Sequence, residues 1–408
     1  MTTFNINTFT TTSQTLADLE FGFIGTLGGI ASSGTAVIVT GNGVPLINNG
    51  TIFGMTEAIS ATGSSFSLTN TGSISAGPGS LACISISTGN SVAASARILN
   101  SGTIQGGGTG VDGILIQSGG NEIVNTGTII GNLDNAIQIN GNVGAGNLTN
   151  RIVNSGIIIG GPNDPAILLD FDADTVINTG QIIGGIDFDL GNDLYNGRNG
   201  ILIGQAEGGS GNDTLIGGTG GEDFLGGAGN DTLNGGAGED TLNGDSGNDL
   251  IFGGGDNDII DGGTADDVLR GNEGDDLILG GAGNDILRGD AGDDTLAGGE
   301  SRDVMSGGTG ADVFDFNTTT ESTYDVNSDV IRDFQVGQDI VDLSDLSVSV
   351  LVFRGSSGFS GGGIGSVRVI STASGQTAIL VDADGNASAE MRILLDGGPT
   401  LTASDLIL

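Results

Sequence analysis

The sequence predicts an all-β protein made of two solenoids in series: an N-terminal right-handed parallel β-helix, then a parallel β-roll closed by a C-terminal β cap. Three observations predict this. Across residues 208–315 one nine-residue phrase, Gly-Gly-x-Gly-x-Asp-x-apolar-x, repeats twelve times without a slip in register. Upstream, from about residue 40 to 185, a looser phrase, apolar-x-Asn-x-Gly-x-Ile, recurs. Aromatic residues make up only 4% of the 408 residues and Gly contributes 80, which starves a globular core but suits rungs that each bury one small apolar side chain. The expected division is 1–185 for the β-helix, 186–207 for a junction, 208–315 for the roll and 316–408 for the cap.

The β-helix phrase first reads Leu46-Ile47-Asn48-Asn49-Gly50-Thr51-Ile52, and its Asn recurs as Asn70, Asn100, Asn125, Asn154 and Asn178. The spacings are 22, 30, 25, 29 and 24. A constant strand-turn-strand joined by loops of changing length is what coils of a parallel β-helix show. Asn repeated at one turn can stack into an internal hydrogen-bonded ladder. Short apolar alternations at 36–39, 113–116, 136–139 and 166–169 supply further strands, so each coil has two or three. Cys83, the single cysteine, lies beside Leu81, Ala82 and Ile84 and reads as a small buried apolar residue. Residues 187–193 read as a degenerate lead-in to the roll.

In the nonapeptide, Gly supplies left-handed backbone and room for close approach. The expected split is a six-residue turn and a three-residue strand. Position eight points into a thin core and is apolar in every copy, from Leu215 to Phe314. Turn carbonyls and the position-six carboxylate face outward as hard oxygen ligands. The position-six residues are Asp213, Glu222, Asp231, Asp240, Asp249, Asp258, Asp267, Asp276, Asp285, Asp294, Asp303 and Asp312. These are the expected metal ligands, and the metal is calcium. Calcium takes about 6–8 oxygens at about 2.3–2.6 Å, so stacked turns must share each ion, and two columns of turns leave room for about ten. The segment carries 24 acidic residues against three Arg, a net charge of −21, which that many divalent ions would cancel.

Some copies depart from the phrase. Ala265 stands where a left-handed Gly is expected, and its Cβ is strained there. Asp256 at the same place is milder. The copy beginning Gly298-Gly299-Glu300-Ser301-Arg302-Asp303 has lost its third Gly and gained a cation, so a weak site is expected there, and Glu222 is longer than Asp.

These repeats resemble those of the RTX (repeats-in-toxin) proteins of Gram-negative bacteria. The likeness continues through 329–334 (Asp-Val-Ile-Arg-Asp-Phe), 337–344, 381–385 and 401–408, which are similar to the segment that follows the roll in serralysin-type proteins. The resemblance implies calcium as cofactor and a capping segment after the roll. It also implies an uncleaved type I secretion signal at the extreme terminus, and an extracellular protein passed outward by type I secretion machinery. The β-helix half resembles, in architecture, the passengers of secreted bacterial adhesins.

The composition fits such a destination. The chain has 50 acidic and 10 basic residues, all ten basic ones Arg, for a net charge of −40. That argues against nucleic acid or an anionic membrane as partner. The N-terminus, Met1-Thr2-Thr3-Phe4-Asn5, shows no Sec signal, and the apolar run over 21–30 is too short and Gly-rich to span a membrane. One cysteine allows no intrachain disulfide, so calcium would serve as the extracellular staple.

Catalytic chemistry is scarce. With no His in the chain there is neither an HExxH zinc site nor a Ser-His-Asp triad. Gly358-Phe359-Ser360-Gly361-Gly362 matches the GxSxG string but has no His to activate its serine. Two other readings use the β-helix itself. Asp170, Asp172 and Asp174, alternating along one strand with Arg151 one coil earlier, could serve a polysaccharide lyase or epimerase. Aligned Thr and Asn columns could bind ice, although the outward third position of the roll is irregular. The expectation is no enzyme. It is a secreted calcium-binding structural protein that folds on calcium and self-associates as a filament, surface-layer, biofilm-matrix or adhesin component.

Overall fold

The computed structural model describes residues 3–17, 20–63, 65–78, 82–87, 95–108, 111–141, 148–324, 327–346, 351–359 and 364–408. Met1, Thr2, Leu81 and residues 360–362 of the GxSxG string lie outside the described residues. The chain divides into two compact units, Met1–Thr219 and Gly220–Leu408. Among the described residues the one helical element is a 3-10 turn, Ala403–Asp405; the regular structure is otherwise β.

The first unit is a parallel solenoid with three faces. One face stacks Val44–Asn48, Ser65–Asn70, Ser95–Asn100, Glu122–Asn125, Arg151–Asn154 and Thr175–Asn178 in parallel. A two-residue turn leads each strand to the second face, where Thr51–Gly54, Ser73–Ala76, Thr103–Gln105, Thr128–Ile130, Ile157–Ile159 and Gln181–Ile183 stack. The third face carries Ile59–Ala61, Ala82–Ser87, Asp112–Gln117, Ile137–Ile139 and Ile167–Leu168. Three strands per coil is thus the rule. Like stacks on like: Ile52, Ile74, Ile104, Ile129, Ile158 and Ile182 form one buried column. Cys83, on the third-face strand Ala82–Ser87, is fully buried, and burial pushes its thiol up to about 12.

The winding reaches beyond the Asn phrase on both sides. It begins with Thr3–Ile6, Phe9–Thr10 and Gln14–Leu16. It continues through Ile186–Asp187, Leu194–Asn196, Ile201–Ile203 and Gln205–Ser210 to Thr214–Ile216, so residues 186–207 hold strands of the three faces and Leu215 of the first nonapeptide stacks on Tyr195. The Asn ladder forms as the repeat implies. Asn48 Nδ2 donates to Asn70 Oδ1 at 2.8 Å, and Asn70, Asn100, Asn125 and Asn154 each donate onward at 2.7–2.9 Å, ending on Asn178. An amide both donates and accepts, so a buried stack satisfies itself. The phrase's Gly is required by space: a Cβ on Gly102 would overlap the Gly72 carbonyl of the coil before it.

The second unit has two strands per coil. Thr232–Ala237, Leu250–Gly255, Val268–Glu273, Ile286–Ala291 and Val304–Thr309 form one face. Asp223–Ala228, Thr241–Ser246, Ile259–Thr264, Leu277–Ala282 and Thr295–Glu300 form the other. Each strand is six residues long, not three, because the ladder runs on through the first three positions of the next copy and leaves only positions four to six as turn. Position eight is buried throughout, from Phe224 to Phe314. The cap begins on Val330–Ile331, which joins Val304 and Met305 to Leu394 and Leu395. Met391–Leu395, Thr377–Asp382 and Gly365–Ser371 make an antiparallel sheet there. Leu406–Ile407 pairs with Val341 and Asp342.

Position four is left-handed even where it is not Gly: Asp256 has φ 72°, Ala265 φ 85° and Ser301 φ 93°. Two outcomes follow from these contacts. Asn125→Ala breaks one ladder and strands its neighbours' polar groups, so it is expected to cost about 1–3 kcal/mol in denaturant unfolding. Ala265→Gly removes a strained Cβ and is expected to raise stability in calcium by about 1 kcal/mol, read by the same method.

Candidate metal centre

The position-six residues are brought together in two columns, one for each row of turns. In the first, Asp231 N–H donates to Asp249 Oδ1 at 2.7 Å, Asp249 to Asp267 at 2.7 Å, Asp267 to Asp285 at 2.8 Å and Asp285 to Asp303 at 2.8 Å. In the second, Glu222 N–H donates to Asp240 Oδ1 at 2.6 Å, and Asp240, Asp258, Asp276 and Asp294 continue it to Asp312. Asp213, the first of the twelve, lies in the first unit, where it accepts from Asp193 N–H at 2.7 Å. The carboxylates expected to face outward are buried, each 0–2% exposed, with Glu222 at 5%. They turn inward because every strand's inward position one is Gly. A Cβ on Gly262 would come within 2.6 Å of Asp267 Oδ2, and the same overlap recurs at Gly244, Gly253 and Gly289.

A second ladder runs outside the first with opposite polarity. Asn248 N–H donates to Asn230 Oδ1 at 2.9 Å and Asn284 N–H to Asp266 Oδ1 at 2.8 Å; on the other row Asp293 N–H donates to Asp275 Oδ1 at 2.8 Å. Each turn is therefore held to both its neighbours through side chains.

One oxygen is left over on nine of the inner carboxylates. Oδ2 of Asp240, Asp249, Asp258, Asp267, Asp276, Asp285, Asp294, Asp303 and Asp312 is buried and accepts no hydrogen bond. Buried anions without a partner are costly. Burial pushes Asp258, Asp267, Asp294 and Asp303 up to about 7, with facing carboxylates adding to the rise. It takes Asp240, Asp249, Asp285 and Asp312 to about 6. Acceptor-only oxygens, stacked carboxylates and nearby turn carbonyls fit a hard divalent cation shared between turns. The copy with Ser301 and Arg302 keeps the geometry: Asp303 is fully buried and its N–H donates to Asp329 Oδ1 at 2.8 Å.

Residues 191–408, just over half of the chain, match the family described as Peptidase M10 serralysin C terminal. The chain belongs to this serralysin C-terminal family. It is a calcium-binding β-roll protein with RTX-type repeats, and such repeats imply an exported protein. Two solution structures are similar to it, both subunits of the Azotobacter vinelandii mannuronan C5-epimerase. AlgE6R2 is 29% identical over 36% of this chain and 90% of its own, with a TM-score of 0.29. AlgE6R3 is 29% identical over 40% of this chain and 80% of its own, with a TM-score of 0.22. No curated protein matches the chain.

Four column members escape the nonapeptide phrase. Asp329 and Asp339 prolong the two columns into the family's capping segment, accepting from Asp303 and Asp312 N–H. In the first unit Asp174 and Asp193 precede Asp213 in one column. Each is followed by x-apolar, the surviving half of the phrase; Gly191 and Gly337 keep position four, but the Gly-Gly pair is missing. Asp170, Asp172 and Asp174 do not alternate along a strand. They lie in the turn between Ile167–Leu168 and Thr175–Asn178, because Asp174 is drawn inward to accept from Asn150 N–H at 2.7 Å. Arg151 is engaged elsewhere, 3.7 Å from Glu122, which Arg97 also pairs at 2.7 Å.

The raised carboxylates set a pH dependence for the metal-free roll. The folded state keeps their protons to higher pH than the unfolded chain, whose carboxyls titrate near 3.8. Stability from this source is present below that value and lost as pH climbs toward 7. In a chelator, far-UV circular dichroism is expected to show more strand at about pH 5 than at about pH 8, and millimolar calcium is expected to abolish the difference.

Proposed function

We propose that this protein is a secreted structural subunit that folds on calcium outside the cell, associates with its own copies into a filament, surface layer or biofilm matrix, and acts without catalysis. The observation that carries the reading is the pair of inner columns, in which nine buried carboxylates, among them Asp249, Asp258, Asp267 and Asp276, hold one oxygen without a donor. Where calcium is scarce those anions repel and the roll stays open. Extracellular modules of this kind bind calcium at about 10⁻⁴–10⁻³ M, so folding follows export. Binding to the folded state alone then stabilises it by mass action.

Export through a type I system of a Gram-negative cell suits the tail. Residues 401–408, which read as the secretion signal, take part in the folded cap: Leu406 is buried and Asp405 accepts from Gly337 N–H at 2.9 Å. A chain that folds only after passage keeps this signal accessible beforehand. Self-association is supported at the other end. Among the described residues, Thr3–Ile6, Phe9–Thr10 and Gln14–Leu16 each pair on one side only. Open parallel edges are templates for another chain, and head-to-tail contacts that do not close make filaments. The absence of His and Lys from the sequence supports a non-catalytic role.

Light scattering and negative-stain microscopy on chelator-treated protein, before and after millimolar calcium, test the assembly. Ordered filaments or sheets that need calcium are expected; a monodisperse folded monomer overturns self-association. Asp231→Ala, Asp249→Ala and Asp285→Ala combined are expected to abolish the calcium-induced gain of strand signal. An unchanged calcium response in that variant overturns the column as the metal centre.

A further inference from the structure

We propose that the three-faced unit holds a calcium ion of its own, between the turns of residues 169–174 and 188–193, upstream of the nonapeptides. The choice of calcium rests on the reading of the roll; the site itself rests on the first unit alone. Neither turn carries the Gly-Gly-x-Gly phrase: they read Leu-Asp-Phe-Asp-Ala-Asp and Phe-Asp-Leu-Gly-Asn-Asp. Their geometry is nevertheless that of the roll. Asp174 N–H donates to Asp193 Oδ1 at 2.5 Å. Asp189 has φ 59°, at the place where Asp245 (66°) and Asp290 (75°) are left-handed in the roll. Asn212 N–H donates to Asn192 Oδ1 at 2.8 Å, as Asn248 N–H does to Asn230.

The observation that points to a ligand is independent of that likeness. Asp193 is 2% exposed, and its Oδ2 accepts no hydrogen bond. Gly191 shows what this oxygen faces. A Cβ there would lie 2.6 Å from the Asp172 carbonyl oxygen and 2.8 Å from Asp193 Oδ2, so both border one small space that Gly keeps open. The local donors are used: Asn150 gives its N–H and its side-chain amide to Asp174, at 2.7 and 3.0 Å. Arg151 is held at Glu122. Burial raises Asp193 to about 8, with Asp213, Asp174 and Asp172 adding to it, and Asp174 to about 7, with Asp170 and Asp172 adding to it. A carboxylate oxygen and a carbonyl oxygen at a buried space, with the Asp172 and Asp174 charges close by, suit a hard cation that accepts mixed, flexible oxygen ligands, and calcium does so more readily than magnesium.

Tyrosine makes the site measurable. The chain has two Tyr and no Trp. Tyr195 lies two residues beyond Asp193 and is buried. In full-length Y324F, Tyr195 is the sole sensitiser of terbium luminescence. Tyrosine-excited terbium emission is expected, and calcium is expected to displace it. D193N keeps the Oδ1 acceptor for Asp174 and replaces the unpaired oxygen with a neutral donor, so it is expected to fold and to lose most of the emission. D170N removes one negative charge beside Asp172, Asp174 and Asp189 and is expected to weaken terbium affinity severalfold. No emission in Y324F, emission that survives D193N, or affinity unchanged in D170N each overturns the site. The roll is read in the same samples by the calcium-induced gain of circular dichroism. That gain persisting while Tyr195 emission fails sinks this site alone, whereas loss of the gain sinks the reading of the roll.

Discussion

Successive coils of a parallel solenoid lie about 4.8 Å apart, and every side chain is stacked on its counterpart in the next coil. That spacing governs the rest of this molecule. Stacked isoleucines gain from it, and stacked amides can exchange hydrogen bonds across it. Stacked carboxylates cannot, because an ionised carboxylate only accepts. The inner columns meet part of the demand by taking a backbone N–H from the coil before, as Asp249 does from Asp231. The remaining oxygen of residues such as Asp249 and Asp267 still needs a positive partner. Glycine at position one follows from the same constraint, since any side chain there would occupy the carboxylate's space.

The two units answer one stacking problem with two chemistries. Asn48 to Asn178 form a neutral ladder complete in protein atoms alone. The Asp columns leave buried acceptor oxygens, such as Oδ2 of Asp249 and Asp267, without a protein donor. Within the first unit the inner column passes from one kind to the other, through Asn121, Asn150, Asp174, Asp193 and Asp213.

Much of this was legible from residue types. Position-eight burial, the Asn ladder, the buried Cys83 and the left-handed backbone at Asp256, Ala265 and Ser301 are all as the repeats imply. The strand length was not, because it depends on ladder pairs through Gly236 and Ala237 that no propensity for Gly announces. Nor was the inward turn of the carboxylates, which depends on the glycine opposite. Asp170, Asp172 and Asp174 look like a strand face when read by alternation alone; Asn150, one coil away, decides otherwise.

Periodicity by itself determined the fold class, the identity of the core positions and the residue type of the stacked columns, because a solenoid repeats its local environment and the sequence must repeat with it. Tertiary structure alone decided where the columns stop. Asp329 and Asp339 join them without the Gly-Gly pair, since what places a residue in a column is the backbone N–H of the neighbouring coil, which is roughly twenty or more residues away in the chain. Contacts between coils are long-range in sequence, so their ends are written in no single repeat.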